Sequence, residues 1–249
     1  MPAVDGYDET TYGRAFADVY DDWYAGISDI EATVTDLARL AGPGPVLELG
    51  VGTGRLAIPL AVHAPHLAVV GVDSSDEMLA RLRARPHPET LSARLGDMVD
   101  ELPDGPFALA FVAYNTIFNL LTAERQHACF AAVAQRLAPG GRIVVEAFVP
   151  DDPPRDGDHI EIRTLAAGRV VLSVSRHDAA TQRADGQFVE LTEHGGVRLR
   201  PWSIRYASPT QLDAMAARAG LEIEHRWESF GALPYRASSS RHVTVYRSA

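Results

Sequence analysis

Not one lysine occurs in the 249 residues; all 23 basic side chains are arginine. That absence excludes a lysine Schiff base, a lysine general base and the phosphate-gripping lysine of P-loop nucleotidases. A single cysteine, Cys129, excludes an intrachain disulfide, a thiolate zinc cluster and a CxxC redox pair. It lies in a helical pattern among Ala and Phe and reads as a small core residue. No apolar run approaches the ~18–20 residues needed to span a bilayer. The acidic, aromatic N-terminus lacks the basic start and apolar stretch of a secretory signal. No basic block occurs and the net charge is −10, which argues against a nucleic-acid partner. The nine histidines are scattered without metal-ligand spacing, so no metal is expected. These exclusions predict a cytoplasmic protein with no membrane partner.

What is present is ample material for a core: 46% of the residues are hydrophobic and 22% charged, as in one α/β domain. Its centre is VLELGVGTGRLAIPLA (46–61), a short apolar run meeting glycines at Gly50, Gly52 and Gly54 and then a helical pattern. A buried parallel strand turning into a helix over a nucleotide has this form. Dehydrogenases and methyl transferases both build such a turn. The dinucleotide fingerprint wants its third glycine where Arg55 stands, whereas here it comes one residue earlier, at Gly54. The acidic Glu48 at the strand end would repel a pyrophosphate; it suits a cofactor bearing an ammonium group and no phosphate.

The rest of the chain continues the pattern. Helices are expected over 11–25 and 28–40, the second with a Ser28/Glu31 capping box. Strands at 45–49 and 67–72 flank a helix at 53–63, in which Pro59 predicts a bend. A further helix opens at Ser74 with Glu77 three residues on. Strands follow at 91–95, 107–113 and 142–149, with a long helix over 122–137. After the charged, proline-rich link at 151–158, apolar and polar residues alternate through four segments, which reads as an antiparallel meander. The helix at 208–220 opens on SPTQ, and strands at 221–227 and 241–247 close the chain.

Asp73, about 20 residues beyond the glycine turn, is placed to accept bonds from ribose hydroxyls; its position also allows it to stabilise a helix N-terminus. Gly96-Asp97-Met98 follows the third strand, where Asp97 can accept an adenine amino group. Together with the Glu48–Gly54 turn, this set resembles the class I S-adenosylmethionine-dependent methyltransferases, closely over 10–149 and loosely over 200–249. VDSSDEML (72–79) and GDM are similar to small-molecule members, including natural-product and amino-sugar N-methyltransferases. The resemblance implies a doubly wound, Rossmann-like, seven-stranded and mostly parallel sheet, with a last antiparallel strand. A helical lid (1–42), a cofactor core (43–150), a β insertion over the acceptor site (151–206) and closing elements (207–249) would make up one domain.

Carried across, Glu48 and Gly50, Gly52 and Gly54 would face the methionine part of the cofactor and Asp73 the ribose, with Ser74 also among the cofactor-binding residues. Met78, Asp97 and Met98 would hold the adenine, while Tyr114 and Asn115 would line the reaction centre. AYNTIFNL (113–120) departs from the motif of nucleic-acid amino methyltransferases, which argues against base methylation. In the aromatic N-terminal helix the resemblance favours Tyr20 and Tyr24 as reaching the site. Glu146 and His177 are the candidates for a base, should the acceptor need to lose a proton. Trp202, Arg205 and Tyr235 are candidates for shaping the acceptor pocket, Arg205 by holding an anionic group. The expected reaction is methyl transfer to nitrogen or oxygen of a small metabolite, by a chain that can pair as a homodimer. A nicotinamide oxidoreductase and a non-catalytic module on the same fold stay open at this point.

Overall fold

The computed structural model describes residues 4–8 and 10–248. Two short helices, α1 (Thr11–Phe16) and α2 (Tyr20–Trp23), precede α3 (Ile30–Ala41). The core then alternates β1 (Val46–Leu49), α4 (Ala57–His63), β2 (Val69–Asp73), α5 (Asp76–Arg83), β3 (Leu91–Leu95) and β4 (Phe107–Val112). A 3₁₀ turn (Thr116–Asn119), α6 (Ala123–Ala134) and β5 (Leu137–Phe148) complete that half. The insertion is β6 (Gly157–Ala166), β7 (Arg169–Asp178), β8 (Arg183–Thr192) and β9 (Gly196–Arg205). Helix α7 (Pro209–Arg218), β10 (Leu221–Ser229), β11 (Leu233–Pro234) and β12 (Arg241–Ser248) end the chain.

The main sheet runs β11-β10-β12-β5-β4-β1-β2-β3, with β1 to β5 parallel and β12 antiparallel to β5. It holds eight strands rather than seven, because the two-residue β11 folds back on β10. Alternation along each strand feeds two cores. Val46 and Val144 join Leu37, Leu60 and Leu82 on one face; Leu47, Leu49 and Val145 join Phe118, Phe130 and Leu212 on the other. The four insertion strands form a separate meander in the order β6-β7-β8-β9.

Several local expectations shift. The N-cap of α3 is Asp29, which accepts from Ala32 N, while Ser28 Oγ accepts from Arg55 at 2.6 Å. The N-cap of α5 is Ser75 rather than Ser74, and accepts from Met78 N. Pro59 lies in the first turn of α4, where its missing N–H removes no intrahelical bond, so the 53–63 helix simply starts later. The N-terminal helix breaks between Phe16 and Tyr20. There Asp18 reaches Arg200 on β9 at 2.6 Å, and Arg200, 1% exposed, also binds Glu190 on β8 at 3.1 Å. Phe16 and Trp23 pack on Phe188 of β8 at 5.8 and 5.5 Å, so the N-terminal segment is fastened to one face of the insertion.

Candidate active site

The turn after β1 crosses the left-handed region three times, at Gly50, Gly52 and Gly54 (φ 69°, 55° and 79°), which glycine adopts without strain. A Cβ at Gly54 would lie 2.9 Å from Ile58, whereas one at Gly52 would meet nothing within 4 Å. Gly54 therefore serves packing, and Gly52 leaves open the floor of a cavity of about 370 Å³. Around that floor stand Asp73 from the end of β2, Ser74, Ser75 and Met78 at the start of α5, and Gly96, Asp97 and Met98 beyond β3. The N-terminal segment covers it with Tyr7, Asp8, Tyr12, Gly13 and Tyr20. The opposite wall is Thr116, the loop from Asn119 to Thr122, and Arg125.

Both carboxylate oxygens of Asp73 are engaged: Oδ2 accepts from Gly52 N at 2.8 Å and Oδ1 from Ser75 N at 2.9 Å. Burial raises its pKa against the lowering effect of those two amides. Asp97 Oδ1 accepts from Val99 N, Asp100 N and Arg125 at 2.8, 2.9 and 2.7 Å, which fixes the loop beyond β3. Glu48, buried beneath the turn, has no partner at Oε2. Desolvation pushes its pKa up to about 8, opposed by the Arg55 guanidinium and reinforced by Asp73. A buried carboxylate with one oxygen unpartnered beneath the glycine turn fits a cofactor that brings its own cation.

Four tyrosines meet at the edge of this cavity. Tyr12 Oη lies 3.2 Å from Tyr24 Oη; the Tyr24 ring packs tilted against Tyr20 at 4.7 Å and edge-on to Tyr114 at 5.4 Å. Burial raises the phenol pKa values of Tyr12, Tyr20 and Tyr114. Tyr114 and Asn115 both take positive φ, 45° and 66°, at the exit of β4. Glu146 holds that strained pair. Its Oε2 accepts from Tyr114 N at 3.0 Å and its main-chain oxygen from Asn115 N at 3.0 Å. Asn115 Oδ1 in turn accepts from Phe148 N at 2.7 Å.

The structure thus brings Tyr20, Gly50, Gly52, Asp73, Ser74, Met78, Asp97 and Met98 together around one cavity. Glu48, Gly54, Tyr24, Tyr114 and Asn115 lie behind its lining. His177 is elsewhere: it lines a second cavity of about 220 Å³ with Phe148, Arg155 and Tyr206, where burial lowers its pKa. Arg205 is buried and bonded to Gln126 Oε1 and Gln182 Oε1 at 2.7 and 2.9 Å, so its guanidinium is a structural tie rather than a free anion holder. Trp202 packs near Phe188 at 6.2 Å, and Tyr235 lies under Arg226; neither lines either cavity. Among the lining residues unforeseen from sequence are Tyr7, Asp8, Thr116 and Arg125. Only an Asp97–Arg125 pairing would have signalled the last, and nothing local marks a pair 28 residues apart.

The fold and this cavity define a nucleoside-binding α/β protein whose turn takes a cationic cofactor rather than a dinucleotide. Residues 46–141 match the family described as "Methyltransferase domain". The CcbJ methyltransferase of Streptomyces caelestis superposes with a TM-score of 0.91 at 40% identity, over 98% of this chain and 100% of that one. The demethylmenaquinone methyltransferase of Thermus thermophilus is 30% identical over 79% of this chain and 82% of its own length. A Streptomyces venezuelae relative, named as a dTDP-3-amino-3,4,6-trideoxy-alpha-D-glucopyranose N,N-dimethyltransferase, is 28% identical over 84% of this chain and 91% of its own. The chain belongs to the S-adenosylmethionine-dependent methyltransferases, and its cofactor is S-adenosylmethionine. The nicotinamide reading has no support among these relatives. Among the described residues, no helix is long and apolar enough to cross a membrane, and no cluster of His, Cys, Asp and Glu forms a metal site.

Proposed function

We propose that the chain methylates a nitrogen of a small metabolite of a natural-product pathway. One observation carries the choice of nitrogen over oxygen: neither candidate base, Glu146 or His177, stands free at the tyrosine cluster. Glu146 spends its carboxylate on the Tyr114 amide, His177 lines the other cavity, and the buried phenols are held protonated by pKa values above their ordinary range. A neutral amine brings its own lone pair and needs no base for attack, whereas a hydroxyl usually does.

The cofactor supplies an electrophilic methyl group on a sulfonium. Asp73, Asp97 and Met78 would bind its nucleoside portion and Glu48 its ammonium end. The tyrosine faces would suit the sulfonium charge, and the N-terminal segment would exclude water. The insertion, 151–206, would cover the acceptor and choose it. The net charge of −10 argues against nucleic acid as acceptor, and the working unit would be a pair of identical chains. The test is a screen with methyl-labelled cofactor on matched amine and alcohol versions of candidate acceptors. Label in the amines supports the reading; label in the alcohols alone overturns it.

A further inference from the structure

The second cavity, about 220 Å³, opens where β5 runs out against the insertion. Its walls are largely apolar: Phe148, Pro150 and Pro154 come from the end of β5 and the link beyond it, Ala184 and Ile204 from β8 and β9. Into this lining Tyr206 brings a hydroxyl that has no hydrogen-bond partner, on a residue only 5% exposed. A buried polar group left unpaired is costly, and it persists most readily where a ligand supplies the missing partner. His177 is the second polar group. Ser175 Oγ lies 3.1 Å from its Nε2, and no described residue bonds its Nδ1. Burial raises the pKa of the phenol and lowers that of the imidazole, so both are neutral at pH 7. Arg155 and Asp151, which also line the cavity, are bonded to each other at 3.1 Å, and Arg155 further to Glu161 at 2.5 Å.

We propose that this cavity binds the end of the acceptor remote from its nitrogen, a neutral aliphatic ring or short branched chain whose oxygen accepts from Tyr206 Oη. The assignment rests on the methyl-transfer reading above and adds a substrate class to it. Size selects part of a molecule, because pockets for whole ligands run to ~300–1,000 Å³. Charge selects a neutral group. Asp156 and Asp178 stand close enough to raise the Tyr206 pKa and would oppose an anion there, while Asp151, already paired with Arg155, offers little to a cation. Position joins the cavity to the site of transfer. Phe148 follows Glu146 by two residues on β5, about 7 Å along a strand. Glu146 Oε2 accepts from Tyr114 N, and Phe148 N donates to Asn115 Oδ1 at 2.7 Å. One strand end thus holds both the tyrosine cluster and the cavity wall, within the span of a single small molecule.

The test is NMR of ¹³C-labelled histidine rings in the full chain bound to S-adenosylhomocysteine, with the His177 signal assigned from His177→Gln. Three probes of similar shape are titrated: 2-piperidone, cyclohexanecarboxylate and cyclohexylammonium. The neutral lactam should shift the His177 signal saturably at millimolar concentration, and the two charged rings should not. Tyr206→Phe should weaken lactam binding roughly 2- to 10-fold. It should melt no lower than wild type, since the deleted hydroxyl has no partner to lose. Ala184→Met, which fills the cavity, should abolish the shift; unchanged adenosylhomocysteine affinity is the control for folding in both variants. In turnover with whichever acceptor takes label in the screen above, the lactam should raise the acceptor's KM and leave that of the cofactor unchanged. A wild-type signal that does not respond, or a response that survives both variants, overturns the site. Lactam binding without competition against the acceptor overturns its role in acceptor binding. Label in alcohols alone, with the lactam still competing, overturns the choice of nitrogen and leaves the cavity's role standing.

Discussion

Replacing Asp73 tests two roles at once, because its carboxylate spans the cradle from Gly52 N to Ser75 N. Hydrogen bonds to a charged group contribute roughly 1.5–3 kcal/mol each and do not add simply, so Asp73→Ala should cost on the order of 2–4 kcal/mol of stability. For a chain of this length that lowers the melting temperature by roughly 4–16 °C. If the same carboxylate also receives ribose hydroxyls, cofactor affinity falls ~30- to ~1,000-fold as well. Melts with and without S-adenosylhomocysteine separate the roles. At a ligand concentration ~100 times the wild-type Kd, binding stabilises wild type by ~2.7 kcal/mol; a variant binding 100-fold more weakly gains only ~0.4 kcal/mol. The expected result is a lower melt and a nearly lost ligand increment. A lower melt with the full increment would refute the ribose role and leave Asp73 a strut between turn and helix.

Glu48 should make ligand binding depend on pH. With its pKa near 8 it is protonated in the free protein at neutrality, so a ligand ammonium that favours the carboxylate displaces a proton. Adenosylhomocysteine affinity should therefore rise as pH climbs towards about 8 and then level off; calorimetry on Glu48→Gln should show a flat profile, and an identical slope in both would remove Glu48 from the ammonium site. In the folded protein that raised pKa means more bound protons than in the unfolded chain between about pH 4.5 and 8. Stability without ligand should fall across that window, less so in Glu48→Gln. Glu146→Gln keeps an acceptor for Tyr114 N and should retain activity with an unchanged pH profile, whereas Glu146→Ala should lose roughly 1–3 kcal/mol of stability. An inactive, well-folded Gln variant would make Glu146 a base after all. Gly13→Ala would put a Cβ 2.2 Å from Ser75 Cβ, so α1 must lift from the cavity. The cost should be roughly 1–3 kcal/mol with weaker cofactor binding; melts and titrations unchanged from wild type would show that α1 does not need that approach.

Periodicity and punctuation carried the main sheet, because each strand of the cofactor half is a short apolar run beside a glycine or an acidic residue. The floor of the cavity was legible for the same reason: Gly50, Gly52, Asp73 and Asp97 sit at strand ends, where local sequence decides geometry. Helix starts slipped by one residue at Ser28-Asp29 and Ser74-Ser75, since two capping residues stand side by side and only the fold chooses between them. The break after Phe16 was invisible because Asp18 answers to Arg200, 182 residues away. Arg205 misled in the same manner: as a lone cation in a strand it suited an anion, and its glutamine partners come from α6 and the β7–β8 turn. The walls contributed by Tyr7, Asp8 and Arg125 depend on packing between distant segments, which no local pattern encodes.

The fastening of Asp18 to Arg200 has a bearing on the order in which molecules leave. Arg200 is buried with Glu190 on the sheet and Asp18 on the N-terminal segment, and lifting that segment alone would strand its charge from half its partners. The easier motion carries the segment and the insertion sheet together. A nucleoside bound beneath Tyr12 and Tyr20 would then depart only when the insertion sheet is also free to swing. Were the acceptor held under that sheet as proposed, the methylated product would leave first and the spent cofactor would follow it out.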